Sequence, residues 1–124
     1  MAAKYVDIAF IPIAKKNVLA YKKMAKRAAR VWRDHGALRY RECVGEDLTP
    51  DMGGMPMRAY AALAGLGRSE TLVIAQITFR SRAHRDRVNA KVMADPRMGK
   101  IMGGKPIYDM GRFTYGGFEV LIDA

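Results

Sequence analysis

A chain of 124 residues is short enough to be one domain, 1–124, and with half its residues hydrophobic and 27% charged it is not a disordered polymer. Its net charge of +10 attracts polyanions through a field that carries no sequence information, so charge alone does not make it a nucleic-acid protein. The one cysteine, Cys43, excludes an intrachain disulfide and fits a reducing compartment; with no secretory signal and no run near the ~18 apolar residues of a membrane span, a cytoplasmic protein is expected.

Tyr5 to Ile13 (YVDIAFIPI) is β-branched and aromatic and predicts a strand that is apolar on both faces. Asn17 stands where it can cap a helix running to about His35, with Gly36 placed to stop it. Along that helix Val18, Tyr21, Ala25, Ala28, Ala29 and Trp32 form an inward stripe, flanked by Lys22, Lys23, Lys26, Arg27, Arg30 and Arg33. Leu38 to Val44 alternates as a second strand. The Gly- and Pro-rich stretch 45–69 is a long connection whose Ala-rich piece Arg58 to Leu63 forms either a helical turn or part of a hairpin. Thr71 to Phe79 is a third strand, again apolar on both faces. Ser81 caps a second helix reaching about Asp95, where Pro96 forces a break or a new turn. Met98 to Met110 reads as a loop, and Arg112 to Ile122 as a last strand with a bulge at Gly116-Gly117.

Strand, helix, strand, strand, helix, strand is the order of the ferredoxin-like βαββαβ unit, an α+β fold with both helices on one face of a four-stranded antiparallel sheet. The helices leave the other apolar face of the first and third strands bare. An identical sheet is the simplest cover, which predicts a homodimer.

Several segments resemble the YbaA-like family of bacterial proteins: Val31-Trp32-Arg33-Asp34-His35-Gly36-Ala37-Leu38, Glu42-Cys43-Val44-Gly45-Glu46-Asp47, the long run Ser81 to Met93, Asp95-Pro96-Arg97 and Tyr115-Gly116-Gly117-Phe118-Glu119. They span nearly the whole chain in order. The resemblance implies a dimeric α+β barrel, two ferredoxin-like sheets packed face to face, within a superfamily of cofactor-free monooxygenases, lactone isomerases, haem enzymes and small-molecule sensors. The family itself has no established activity. Gln76 stands where an aromatic is expected, Arg80 where a proline is expected, and the connection 49–68 is longer and richer in Met and Gly; any of these that lined a pocket would change its ligand.

The acid/base candidate is His84, which shares a helix face with Val88 and Val92 and has Arg85 and Asn89 at its edge. A buried histidine held by backbone or a carboxylate is the bland alternative. Asp7, Tyr40 and Glu42 are polar strand positions, and Asp7 or Glu42 is able to orient such an imidazole. Cys43 reads as a small buried thiol rather than a nucleophile. His35 and His84 have no metal-ligand spacing with Cys43, so no metal is expected. Gly99 to Lys105 echoes a phosphate loop but has Pro106 where Ser or Thr is needed, and Tyr115 to Val120 echoes an RNA-binding strand on the wrong strand; no cofactor is implied.

These residues together point to an uncharacterised homodimer that binds a small organic molecule between sheet and helices, with Asp7, Tyr40, Glu42, Arg85 and Asn89 as ligand-binding candidates. Whether it transforms that molecule stays open. The alternative is binding of nucleic acid or another polyanion through the basic first helix.

Overall fold

The computed structural model of the chain describes residues 4–124. In chain order it has β1 (Tyr5–Ala14), a 3₁₀ turn (Lys15–Asn17), α1 (Val18–Asp34), β2 (Arg39–Val44), α2 (Tyr60–Leu63), β3 (Glu70–Phe79), α3 (Arg82–Ala94), α4 (Pro96–Met102), a second 3₁₀ turn (Met110–Arg112) and β4 (Thr114–Glu119). The strands form one antiparallel sheet in the order β2-β3-β1-β4. This is the ferredoxin-like α+β arrangement the sequence predicts.

The odd-numbered residues of β1 face the helices: Tyr5, Asp7, Ala9, Ile11 and Ile13 are all buried. Opposite them in register lie Phe79, Ile77, Ala75, Val73 and Thr71 of β3. α1 buries Tyr21, Ala25, Ala28 and Val31 against this face, and α3 buries His84, Val88 and Val92. The core divides in two. One cluster joins Tyr5, Ile77 and Phe79 to Val31, Val88, Val92, Met98 and Ile101, and the other joins Ala9, Ile11, Ile13, Val73 and Ala75 to Tyr21 and Ala25.

The other sheet face is half covered. The segment between β2 and β3 crosses one end of it, where Tyr60 of α2 meets Phe10 edge-to-face with ring centroids 5.7 Å apart. The helical turn thus replaces the hairpin alternative for this segment. Beyond it Ile8, Ile74 and Gln76 are half-buried and Phe118 is exposed.

Several local expectations are corrected. Asn17 makes no cap; its side-chain amide donates to the Ile107 carbonyl, 3.1 Å away, and so ties the start of α1 to the distant 107–113 segment. Part of the expected loop from Met98 to Met110 is the helix α4. Asp95 caps it by accepting the Arg97 N–H at 2.9 Å, and Pro96 at its first position loses no helical bond. β4 has no bulge, because its pairing with β1 runs unbroken from Tyr5↔Glu119 to Phe10↔Thr114. Gly117 is required for a different reason. The Tyr5 ring crosses it so closely that a Cβ there would lie 2.8 Å from Tyr5 Cζ. Cys43 is exposed rather than buried, since β2 is an edge strand and Cys43 points away from the helices.

Candidate functional site

Four alanines, Ala9 and Ala75 on the sheet and Ala25 and Ala28 on α1, face one another between the two core clusters. Their short side chains leave a cavity of about 390 Å³. It opens to solvent, with the exposed Met93, Met102, Met110 and Tyr115 among its lining. Its walls are aromatic and thioether-rich, with Tyr21, Trp32, Tyr40, Tyr108, Phe113 and Tyr115 and with Met24, Met93, Met98, Met102 and Met110.

Two polar groupings reach this space. The first is centred on Asp7, 2% exposed, whose Oδ2 accepts from the Tyr115 hydroxyl at 2.7 Å and from Asn89 Nδ2 at 3.2 Å. The Trp32 indole N–H donates to Asn89 Oδ1 at 3.0 Å, extending the chain of bonds to α1. Arg85 lies behind. Its Nη1 is 3.4 Å from Asp7 Oδ1 and donates to Tyr115 at 2.9 Å, its Nη2 donates to Tyr5 at 3.1 Å, and its guanidinium sits 5.1 Å over the Tyr5 ring. Burial, then the Asp7 carboxylate, pushes the Tyr115 phenol above its ordinary value.

The second grouping is centred on Glu42, which accepts from the Tyr21 hydroxyl and from the Tyr40 hydroxyl, the latter at 2.6 Å. Burial, reinforced by the Glu42 charge, pushes both phenols well above their usual range and raises Tyr108 in the same way. These hydroxyls stay protonated and act as donors at any physiological pH.

The structure therefore brings Asp7, Tyr40, Glu42 and Asn89 to one cavity and puts Arg85 directly behind it. His84 is elsewhere. It is 5% exposed, packs its ring edge-on to Phe79 and accepts the Arg80 N–H on Nδ1 at 3.0 Å. Its Nε2 faces the backbone of Gly36. Neither Asp7 nor Glu42 orients it. The departures fall into place as well. Gln76 pairs with Ile8 on the outer face and does not line the cavity, nor does the 49–68 connection. Arg80 supplies the N–H that His84 accepts, and a proline there has none to give. Apart from Tyr40, sequence reasoning missed the tyrosines of the cavity. Tyr21 reads as one member of a helix stripe, Tyr115 as part of an RNA-binding echo, and Tyr108 lies in an expected loop.

The cations of α1 stay in solvent. Lys26, Arg27 and Arg30 share a groove with Lys100 and Arg97 of α4, and Arg97 is already paired with Asp34 and Asp95, each at 2.8 Å. Among the described residues no group of three or more His, Cys, Asp or Glu side chains is placed to hold a metal, and no helix is long and apolar enough to cross a membrane.

A ferredoxin-like sheet with a polar-lined cavity under its helices defines a class of architecture, and a comparison of sequences narrows it. The family model "Protein of unknown function (DUF1428)" matches residues 4–109. The uncharacterized protein YbaA of Escherichia coli K12 is 40% identical over 122 residues, covering 97% of this chain and 98% of that protein, and YbaA of Shigella flexneri matches equally. The chain belongs to this YbaA-like family, in agreement with the resemblance of its motifs. Among solved structures, a dimeric ferredoxin-like protein from an uncultured marine organism is similar with a TM-score of 0.62 at 10% identity, covering 99% of this chain and 100% of that one, which supports the fold.

His84 generates a pH prediction. Burial, followed by the charges of Arg80 and Arg87, holds its pKa below the usual 6.5. A histidine depressed in the folded state gives full stability above its unfolded pKa and loses it as pH falls through the folded value. Asp95 and Glu70 are held below ordinary carboxylate values, so they stay ionised over this range. Urea unfolding is therefore expected to show lower stability at about pH 5.5 than at about pH 7.5. His84→Asn should cost about 1–3 kcal/mol at the higher pH and flatten the dependence. An equal slope in wild type and variant would show that His84 is not its source.

Proposed function

We propose that this protein binds a small organic molecule in the cavity between the sheet and α1, α3 and α4. The observation that carries the reading is the combination of size and lining. A space of about 390 Å³ lies in the 300–1,000 Å³ range of small-molecule sites, and its walls are mostly apolar with a few convergent polar groups from Asp7, Asn89, Tyr40 and Glu42. The His84 ring, engaged by backbone outside the cavity, leaves the reading at binding rather than at acid/base chemistry. We also assign the protein to the cytosol, where an exposed thiol such as Cys43 stays reduced.

The working unit we propose is a homodimer, formed by pairing the outer sheet faces of two copies. Support comes from the half-covered face of Ile8, Phe10 and Ile74, the exposed Phe118 on edge strand β4 and the exposed Leu121 and Ile122 beyond it. A dimeric ferredoxin-like protein with the same topology adds to that support. The polyanion alternative has the cations of α1 in its favour. It is the weaker reading, because the same exposed charges serve equally as a solvated face that keeps the protein soluble.

Two measurements check these proposals. Phenylbutanol, a neutral amphiphile that fits the cavity, should bind with measurable heat in titration calorimetry. Ala75→Phe, which fills the space from the centre of β3, should abolish that heat while leaving the far-ultraviolet circular dichroism unchanged. Binding that survives the substitution would move the site elsewhere. In sedimentation at micromolar concentration the protein should run at about twice its chain mass and Phe118→Arg should shift it toward monomer, since a buried unpaired charge opposes association. A monomeric wild type would remove the dimer.

A further inference from the structure

The charge of the cavity is opposite to that of the protein. The chain carries 22 lysines and arginines against 12 acids, yet among the described residues the charged groups lining the cavity are Asp7 and Glu42, and no lysine or arginine joins them. Asp7 has Arg85 behind it, although its buried Oδ1 has no hydrogen-bond partner among the described residues. Among the described residues Glu42 has no cation within ion-pair distance. Lys22 and Lys26 line a groove on the other side of Tyr21, Tyr40 and Glu42, but neither forms an ion pair with the carboxylate. Among the described residues its oxygens accept from two phenol hydroxyls, which solvate the charge without neutralising it.

The two tyrosines bonded to Glu42 belong to chains of packed rings in the cavity wall. Tyr21 meets Tyr108 edge-on at 5.7 Å, Tyr108 stacks on Phe113 at 5.9 Å, and Trp32 is tilted against Tyr40 at 5.8 Å. The faces of such rings carry negative potential, which suits ammonium groups. An uncompensated carboxylate among aromatic faces attracts a cation and repels an anion, and the alanine and methionine walls beyond it suit an apolar body.

Building on the reading of the cavity as a binding site, we propose that it selects an organic monocation. The ligand class is a protonated amine carried on an apolar aliphatic or aromatic group, with the ammonium against Glu42 and the rings of Tyr21, Tyr40 and Tyr108. The remaining lone pairs of Glu42 take the ammonium protons, so the two phenol bonds are kept on binding.

The test uses the full chain and three probes of one shape, phenylbutylamine, phenylbutanol and phenylbutyrate, titrated by calorimetry at neutral pH. The amine should bind at least about tenfold tighter than the alcohol, and the carboxylate weakest of the three. Glu42→Gln should bring the amine to within about twofold of the alcohol, both measured on that variant. Tyr108→Leu keeps the carboxylate and both phenol bonds but removes one ring face; it should weaken the amine several-fold and the alcohol much less, and it carries the test if Glu42→Gln does not fold. An alcohol or carboxylate that equals the amine, with binding still blocked by Ala75→Phe, would overturn the cation assignment and leave the cavity reading standing. Absence of binding by all three probes would overturn both.

Discussion

A carboxylate in the middle of a central strand is the constraint around which this fold is arranged. Asp7 lies on the helix face of β1 at 2% exposure, where an unpaired charge would cost several kcal/mol. Its partners come from two other elements, Tyr115 from β4 and Asn89 and Arg85 from α3, and Trp32 of α1 is joined through Asn89. Each partner is thereby fixed in turn. Edge strand β4 is held in a register that places Gly117 beside Asp7, which gives the Tyr5 ring its path to Arg85. The helices α1 and α3 are held at a set distance from the sheet, and that distance, together with alanines at positions 9, 25, 28 and 75, keeps the cavity open.

The two polar groupings of the cavity differ in kind. Asp7 is matched by a guanidinium and serves mainly to join elements. Glu42 is on edge strand β2, is only half-buried and is met by phenols whose pKa values lie far above physiological pH. One carboxylate joins elements of the fold, and the other is met by hydroxyls on the cavity wall. A basic protein thus has a cavity whose charged lining groups, among the described residues, are carboxylates.

Much of this was legible in the residues. The apolar runs at 5–13 and 71–79, the helix stripe ending at Gly36 and the Ser81 cap all reappear within a residue or two, because period and capping are local properties. Family resemblance pointed to the same fold. Asp7, Tyr40 and Glu42 were legible as polar strand positions and Asn89 as the edge of an inward helix face, but which sheet face each strand residue takes was left open. The cavity was not legible, because spacing tells which way a side chain points and not how much volume its neighbours leave; Ala25 and Ala28 read as ordinary members of a packed stripe. His84 shows the same limit. Its helix face is inward as the spacing predicts, but the backbone of Arg80 and Gly36 that engages its ring comes from flanking segments no helix period addresses. The exposure of Cys43 depended on strand order, which the chain order of strands does not reveal. Pro96 was read as a break or a new turn, and it starts a new helix, α4.

The central claim is that Asp7 and Arg85 act as one unit joining sheet to helices. A double-mutant cycle with Asp7→Asn and Arg85→Met, measured by urea unfolding, tests it most directly. The account predicts that each single change is strongly destabilising and that the pair is coupled by about 1–3 kcal/mol, since the second change removes a charge already left without its partner. Costs that simply add, within about 0.5 kcal/mol, would contradict it.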